Sequence, residues 1–244
     1  MHEFDGDTWK FKALEDYVAY KELDEFVHND LATQAHVNSY RLSTTDTDAF
    51  PKTCTDTICD RKILTLRDAL THFARQTTVS LCTTYEVTVR DFFKTYFQTN
   101  PAALFEYVGP EDAKGYVALR DILQVESHTE LIVRLADRAA GAASKGKYGQ
   151  VYARAFALCG VPEDKELLQR LNSLQVERNK FIHERHRPDC GLNEVTEAHS
   201  IVDGAIEGLC ELGVAKGIPG RYTCIRPTMR LIAKDIAFVI KKDI

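Results

Sequence analysis

The amino-acid sequence predicts a mainly α-helical protein, on three observations. Apolar residues recur at the three- and four-residue spacing of a helix through most of the chain, and few stretches alternate with the period of a strand. Hydrophobic residues make up 44% of the 244 and charged residues 27%, the balance of a globular chain rather than a disordered or fibrous one. The length is sufficient for a sizeable buried core.

Taken in order, residues 9–28 are expected to form a first helix, with Phe11, Leu14, Val18, Phe26 and Val27 sharing an apolar face. Residues 29–62 are rich in Thr, Ser and Asp, which compete with helical backbone bonding, so a long polar connection with a short hairpin is expected there. From Leu64 to Tyr96 the apolar pattern supports the strongest helix of the chain, stopped by Asn100-Pro101, with the Thr77-Thr78-Val79 cluster as a point of bending. A further helix is expected over 116–143 with a break near Ser127, followed by a flexible glycine-rich connector, residues 141–149. Pro162-Glu163-Asp164 opens a helix running to Glu184, with Leu167, Leu168, Leu171, Leu174, Phe181 and Ile182 as its stripe. Another follows over 193–216, and 227–240 reads as a last helix or a strand. This divides the chain into an acidic N-terminal extension with a polar loop (1–60), a helical domain (61–215) and a C-terminal extension (216–244).

Several function classes are excluded or disfavoured. No apolar run approaches the length of a membrane span, and the acidic N-terminus lacks the features of a secretory signal, so a cytoplasmic protein without membrane contact is expected. Seven scattered cysteines suit reduced thiols, and no disulfide is expected. Residues 1–60 carry 13 acidic against 5 basic side chains, which leaves the remainder slightly basic, so contact with RNA should be local. Gly141 with Gly146-Lys147 resembles a phosphate loop only superficially, because Tyr148 stands where a hydroxyl residue should hold magnesium. Cys54 and Cys59 are a candidate half of a zinc site, with Cys190 or His186 as the other half, but no second close pair appears and no metal is expected. His72, His128 and His199 stand singly on helices, where a structural role is the ordinary explanation.

The informative segment is Arg178-Asn179-Lys180-Phe181-Ile182-His183, followed by Arg185, His186 and Arg187. Four residues separate Asn179 from His183, which places both on one helix face, with Arg178 about 100° around the axis. The string Arg-Asn-x-x-x-His, with an aromatic and an aliphatic residue before the histidine and a long helix preceding it, resembles the signature of the HEPN superfamily, over residues 61–215. That superfamily comprises helical ribonuclease domains of toxin–antitoxin, CRISPR-associated and phage-defence systems.

The resemblance implies a HEPN-like helical bundle and metal-independent endoribonuclease activity, in which the ribose 2′-hydroxyl attacks the adjacent phosphate and no cofactor is needed. Arg178 would stabilise the charge developing on phosphorus, His183 would transfer protons, and Asn179 would orient one of them. Lys180, Arg185, His186 and Arg187 would contact the RNA backbone, as would Lys145 and Lys147 from the connector. Implied partners are RNA, tRNA among the candidates, a second copy of the chain, and an antitoxin or other defence-system protein. Glu86 on the long helix is read by default as a solvated residue, with positioning of Arg178 as the alternative. Two blander accounts stand beside this one: a non-catalytic HEPN-like module that binds RNA or protein, and an unrelated helical scaffold in which Arg178 and His183 only complement the helix dipole.

Overall fold

The computed structural model describes residues 2–44, 52–109, 115–183 and 189–223, those of 40–44 and 52–60 by their backbone alone. The fold is mainly α, as expected. Its helices are α1 (Gly6–His28), α2 (Asp30–Thr44), α3 (Lys52–Thr99), a short 3-10 helix (Pro101–Glu106), α4 (Leu119–Leu123), α5 (His128–Ala143), α6 (Tyr148–Cys159), α7 (Lys165–His183) and α8 (Leu192–Ala215). Strands β1 (Phe4–Asp5) and β2 (Gly220–Arg221) form one short parallel bridge that ties the end of the described chain to its beginning.

Helix α3 is the spine. Its 48 residues span about 70 Å at the usual helical rise, and α1, α5, α7 and α8 all pack along it. Leu70, Ala74, Thr78, Leu81, Tyr85, Val89, Phe92 and Tyr96 recur at helical spacing on its inner face, each at most 9% exposed. The expected bend at Thr77-Thr78-Val79 does not interrupt the helix. Buried threonine hydroxyls are satisfied along its own backbone: Thr78 donates to the Ala74 carbonyl at 3.0 Å and Thr88 to the Thr84 carbonyl at 2.7 Å. Such bonding lets a polar residue occupy a helical core position.

Two expectations are corrected in the N-terminal part. The polar stretch 29–62 is not a long connection: α2 covers Asp30–Thr44, and α3 is already helical at Lys52. Asn29 starts α2 by accepting the backbone N–H groups of Leu31 and Ala32, both at 3.1 Å. Thr33 and Val37 are buried, so tertiary packing overrides the weak local preference of these residues. In α1 the buried residues are Gly6, Ala13, Tyr20 and Val27, one every seven positions, while Phe11, Leu14, Val18 and Phe26 are exposed. Gly6 and Ala13 let α1 approach its neighbours, Tyr20 and Val27 complete the inner face, Val27 as expected, and Phe11, Leu14, Val18 and Phe26 are turned outward.

The break expected near Ser127 is present. Ser127 starts α5 by accepting the Glu130 backbone N–H at 3.1 Å, and the Glu130 carboxylate accepts the N–H of Glu126, the residue before the cap, at 2.9 Å. The glycine-rich connector is also corrected, since Gly141 lies within α5 and Gly149 within α6, leaving a short link around Gly146. Helix α6 had no counterpart in the sequence reading. Its Gly160 cap adopts a left-handed backbone, φ 62°, which ends the helix. The stretch 227–240 lies outside the described residues. Among the described residues no helix is long and apolar enough to cross a membrane.

Candidate functional site

Helix α7 carries the motif. Asp164 opens it by accepting the backbone N–H groups of Glu166 at 2.9 Å and Leu167 at 3.3 Å. Leu171, Leu174 and Phe181 are its buried residues. Arg178 follows Leu174 by four positions and precedes Phe181 by three, so it lies on the core-facing stripe rather than beside it. Its side chain is 26% exposed and is directed at α3, where Nη2 lies 3.9 Å from Glu86 Oε1.

Glu86 is fixed from a second direction. The Tyr148 hydroxyl, on the first turn of α6, donates to Glu86 Oε1 at 2.5 Å, and the Tyr148 backbone N–H donates to Gln175 Oε1 on α7 at 3.0 Å. The neighbouring Gly149 N–H donates to Asn172 Oδ1, also at 3.0 Å. Two side chains of α7 thus occupy backbone donors at the start of α6, where a helix has no internal acceptors for them. Through Glu86, Tyr148 and Gln175, the three helices are joined around Arg178.

Electrostatics follow from this packing. Burial, then the nearby Cys82 thiol and the bond to Glu86, raise the Tyr148 pKa, and Arg178 opposes them only in part. Tyr148 therefore remains a hydrogen-bond donor to Glu86 at any physiological pH. Cys82, buried on α3 below this group, is pushed up to about 12 by burial and by Glu86, which makes it an inert thiol. The Arg178 guanidinium retains capacity beyond Glu86: Nη1 donates to Asn179 Oδ1 at 3.3 Å, and Nε is buried without a hydrogen-bond partner among the described residues.

A cavity of about 330 Å³ adjoins these groups, lined by Glu86, Arg90, Tyr148 and Gln175 among others. Arg90 lies one helical turn beyond Glu86 and pairs with Asp137 of α5 at 3.4 Å. The cavity is large enough for a small polar unit of a substrate, with a cationic group and a carboxylate on the same wall.

The expected site residues divide into three groups. Arg178 and Asn179 are brought together with Glu86 and Tyr148. Lys180 and His183 are exposed in the last turn of α7, and among the described residues no hydrogen bond or ion pair joins His183 to Arg178. Arg185, His186 and Arg187 lie outside the described residues. Of the half zinc site, Cys54, Cys59 and His186 are likewise outside the described side chains, and Cys190 is buried with the Thr78 hydroxyl 3.8 Å from its sulfur. Among the described residues no group of three or more His, Cys, Asp or Glu is arranged to hold a metal ion.

Sequence reasoning treated Glu86 as solvated by default and did not select Tyr148, Gln175 or Arg90. The heptad-like series Leu171, Leu174, Arg178, Phe181 was a usable signal: an arginine in such a series faces a partner helix and needs a carboxylate there. No family model, curated protein or solved structure matches the chain.

Proposed function

We propose that the protein is a metal-independent endoribonuclease of the HEPN type, a toxin or defence effector that cleaves RNA by attack of the ribose 2′-hydroxyl on the adjacent phosphate. The observation that carries this reading is the setting of Arg178. It is a half-buried guanidinium held toward Glu86, whose side chain lines an open cavity, and it stands next to Asn179 and one turn before an exposed histidine. A preorganised guanidinium is suited to the negative charge of a pentacoordinate phosphate, because its orientation is set before substrate arrives. Imidazole is suited to the two proton transfers, from the 2′-hydroxyl and to the leaving 5′-oxygen. The 2′-hydroxyl requirement makes RNA, with tRNA among the candidates, the substrate.

In this reading two copies act together. Val176 is 55% exposed and Ile182 39% exposed on the same helix as Asn179 and His183, and Val87 is 43% exposed next to Glu86. These apolar residues flank the motif and suit burial against a second copy, whose own motif would complete the cleft and orient the His183 ring. A non-catalytic module is the second reading, and it is favoured by the lack, among the described residues, of any group orienting His183. An antitoxin or another defence-system protein would bind the same face and block it. Function in the cytoplasm accords with an RNA substrate.

The test is incubation of the purified protein and its His183→Ala variant with mixed tRNA and single-stranded RNA in EDTA, followed by end-group analysis. Cleavage by the wild type alone, leaving 2′,3′-cyclic phosphate ends, is the expected result. Equal cleavage by both proteins, or none by either, favours the binding module.

A further inference from the structure

Three of the apolar residues that α1 turns outward form one stripe. Phe11, Leu14 and Val18 are 55%, 43% and 41% exposed, and with Asp7 before them they follow intervals of four, three and four residues, which place all four on one face. That face is opposite the buried set Gly6, Ala13, Tyr20 and Val27. Apolar residues scattered singly over a surface are ordinary, whereas a series at alternating three- and four-residue intervals is the seam along which a second helix packs.

The last described residues lie at the start of this stripe. β2 pairs with β1 in parallel, Phe4 opposite Gly220 and Asp5 opposite Arg221, so the chain leaving β2 runs in the direction in which the chain leaving β1 enters α1. Tyr222 fixes that course: its ring packs on Phe4 with centroids 6.1 Å apart, and its hydroxyl donates to the Ile218 carbonyl at 2.9 Å. Thr223 then donates its backbone N–H to Asp7 Oδ2 at 3.1 Å, and its hydroxyl to the same oxygen. Asp7 is the first member of the outward stripe, one turn before Phe11.

Residues 224–244 lie outside the described residues, and their sequence complements this face. Met229, Ile232 and Ile236 repeat the intervals of Phe11, Leu14 and Val18, and Val239 continues them. Equal spacing sets two stripes side by side in a parallel helix pair. Pro227 suits the first turn of a helix, while Arg230, Lys234 and Lys241 share a different face from the apolar set. Charge agrees: residues 224–244 carry five basic against two acidic side chains, and α1 carries six acidic against three basic, with Glu15 and Glu22 exposed beside the stripe. Length agrees as well. A helix over 227–240 spans about 21 Å, against about 16 Å from Asp7 to Val18, and the four-residue link after Thr223 reaches about 13 Å, more than the roughly 8–10 Å between packed helix axes.

We infer that residues 227–240 form a helix lying parallel to α1 along its outward face, with Met229 beside Phe11, Ile232 beside Leu14 and Ile236 beside Val18. The segment is an intramolecular cover for an apolar face, tied to the fold at Asp7. The inference uses no residue of α7 and stands apart from the ribonuclease reading.

The test is photo-crosslinking of the full chain carrying p-benzoylphenylalanine at position 11 or 18, in an equal mixture of isotopically light and heavy chains, with products mapped by mass spectrometry. Phe11 and Val18 are exposed, so neither replacement disturbs the core. Products within one chain are expected, from position 11 to residues 227–233 and from position 18 to residues 234–240. Amide hydrogen exchange supplies a second readout. The amides of 229–240 should exchange faster by roughly tenfold or more in Val18→Asp and in Ile236→Asp than in the wild type, with exchange in α3 and α8 unchanged as the control for the fold. Products joining light and heavy chains would assign the face to a second copy. That result, products in the reversed order, no products with 227–240, or unchanged exchange in both variants would overturn the inference.

Discussion

Glu86 of α3 and Arg178 of α7 face each other with 3.9 Å between carboxylate oxygen and guanidinium nitrogen, and the oxygen that faces Arg178 also accepts the Tyr148 hydroxyl at 2.5 Å. The pair is partly open to solvent, with side chains 42% and 26% exposed, so its contribution is one of orientation more than of stability.

Glu86→Gln is therefore expected to change the unfolding free energy by less than about 1 kcal/mol, the range of exposed ion pairs. On the proposed ribonuclease reading, RNA cleavage should fall roughly tenfold, since a misdirected guanidinium would lose part of its stabilisation of the transition state. Urea denaturation and initial cleavage rates, measured on the same preparation, separate the two effects. A loss of stability of several kcal/mol would make the pair structural.

His183 is the last residue of α7 and is exposed. His183→Ala should leave the circular dichroism spectrum and the elution volume of the wild type unchanged while abolishing cleavage. Retained cleavage would remove His183 from the proposed chemistry.

Gly149 marks a close approach of α6 to α7. A Cβ there would meet the Leu168 carbonyl oxygen at 2.6 Å and the Asn172 amide at 2.7 Å. Gly149→Ala is expected to destabilise the protein by about 1–3 kcal/mol, as overpacking does, and to shift Tyr148 away from Glu86. Chemical denaturation measures the first effect and cleavage rate the second.

Ser127 starts α5 through its bond to the Glu130 N–H. Ser127→Ala should cost about 1 kcal/mol, the usual value of a lost N-cap, read as a lower urea midpoint with an unchanged slope.

His199 gives a pH dependence. Its ring stacks on Tyr17 at 4.5 Å, and burial lowers its pKa. The unfolded chain then binds a proton that the folded chain does not, so stability rises with pH through this range. The contribution is complete above the ordinary imidazole pKa of about 6.5 and is lost as pH falls below it toward the lowered folded value. Urea unfolding at pH 7.5 and 5.5 should show this loss in the wild type, and a smaller one in His199→Phe, which keeps the stacked ring.

The helical class and the courses of α5, α7 and α8 were legible in the sequence because each has a strong local signal. Ser127 and Asp164 are N-caps, and Leu171, Leu174 and Phe181 or Val195, Ile201, Val202 and Leu209 repeat at helical spacing on one buried face. Local hydrogen bonding and periodicity are properties of neighbouring residues, so a chain read in order displays them.

Tertiary structure decided what neighbours cannot. It made a helix of the polar stretch after Asn29, because Thr33 and Val37 found a surface to bury against. It turned Phe11, Leu14 and Val18 outward, because Gly6, Ala13 and Tyr20 fit closer to α3 and α8. It joined Glu86, Tyr148 and Arg178, which stand on three helices far apart in the chain. The motif Arg178-Asn179 with His183 was visible as a string of residue types. Which carboxylate holds the arginine, and which cavity that carboxylate lines, depends on long-range packing of α3, α6 and α7.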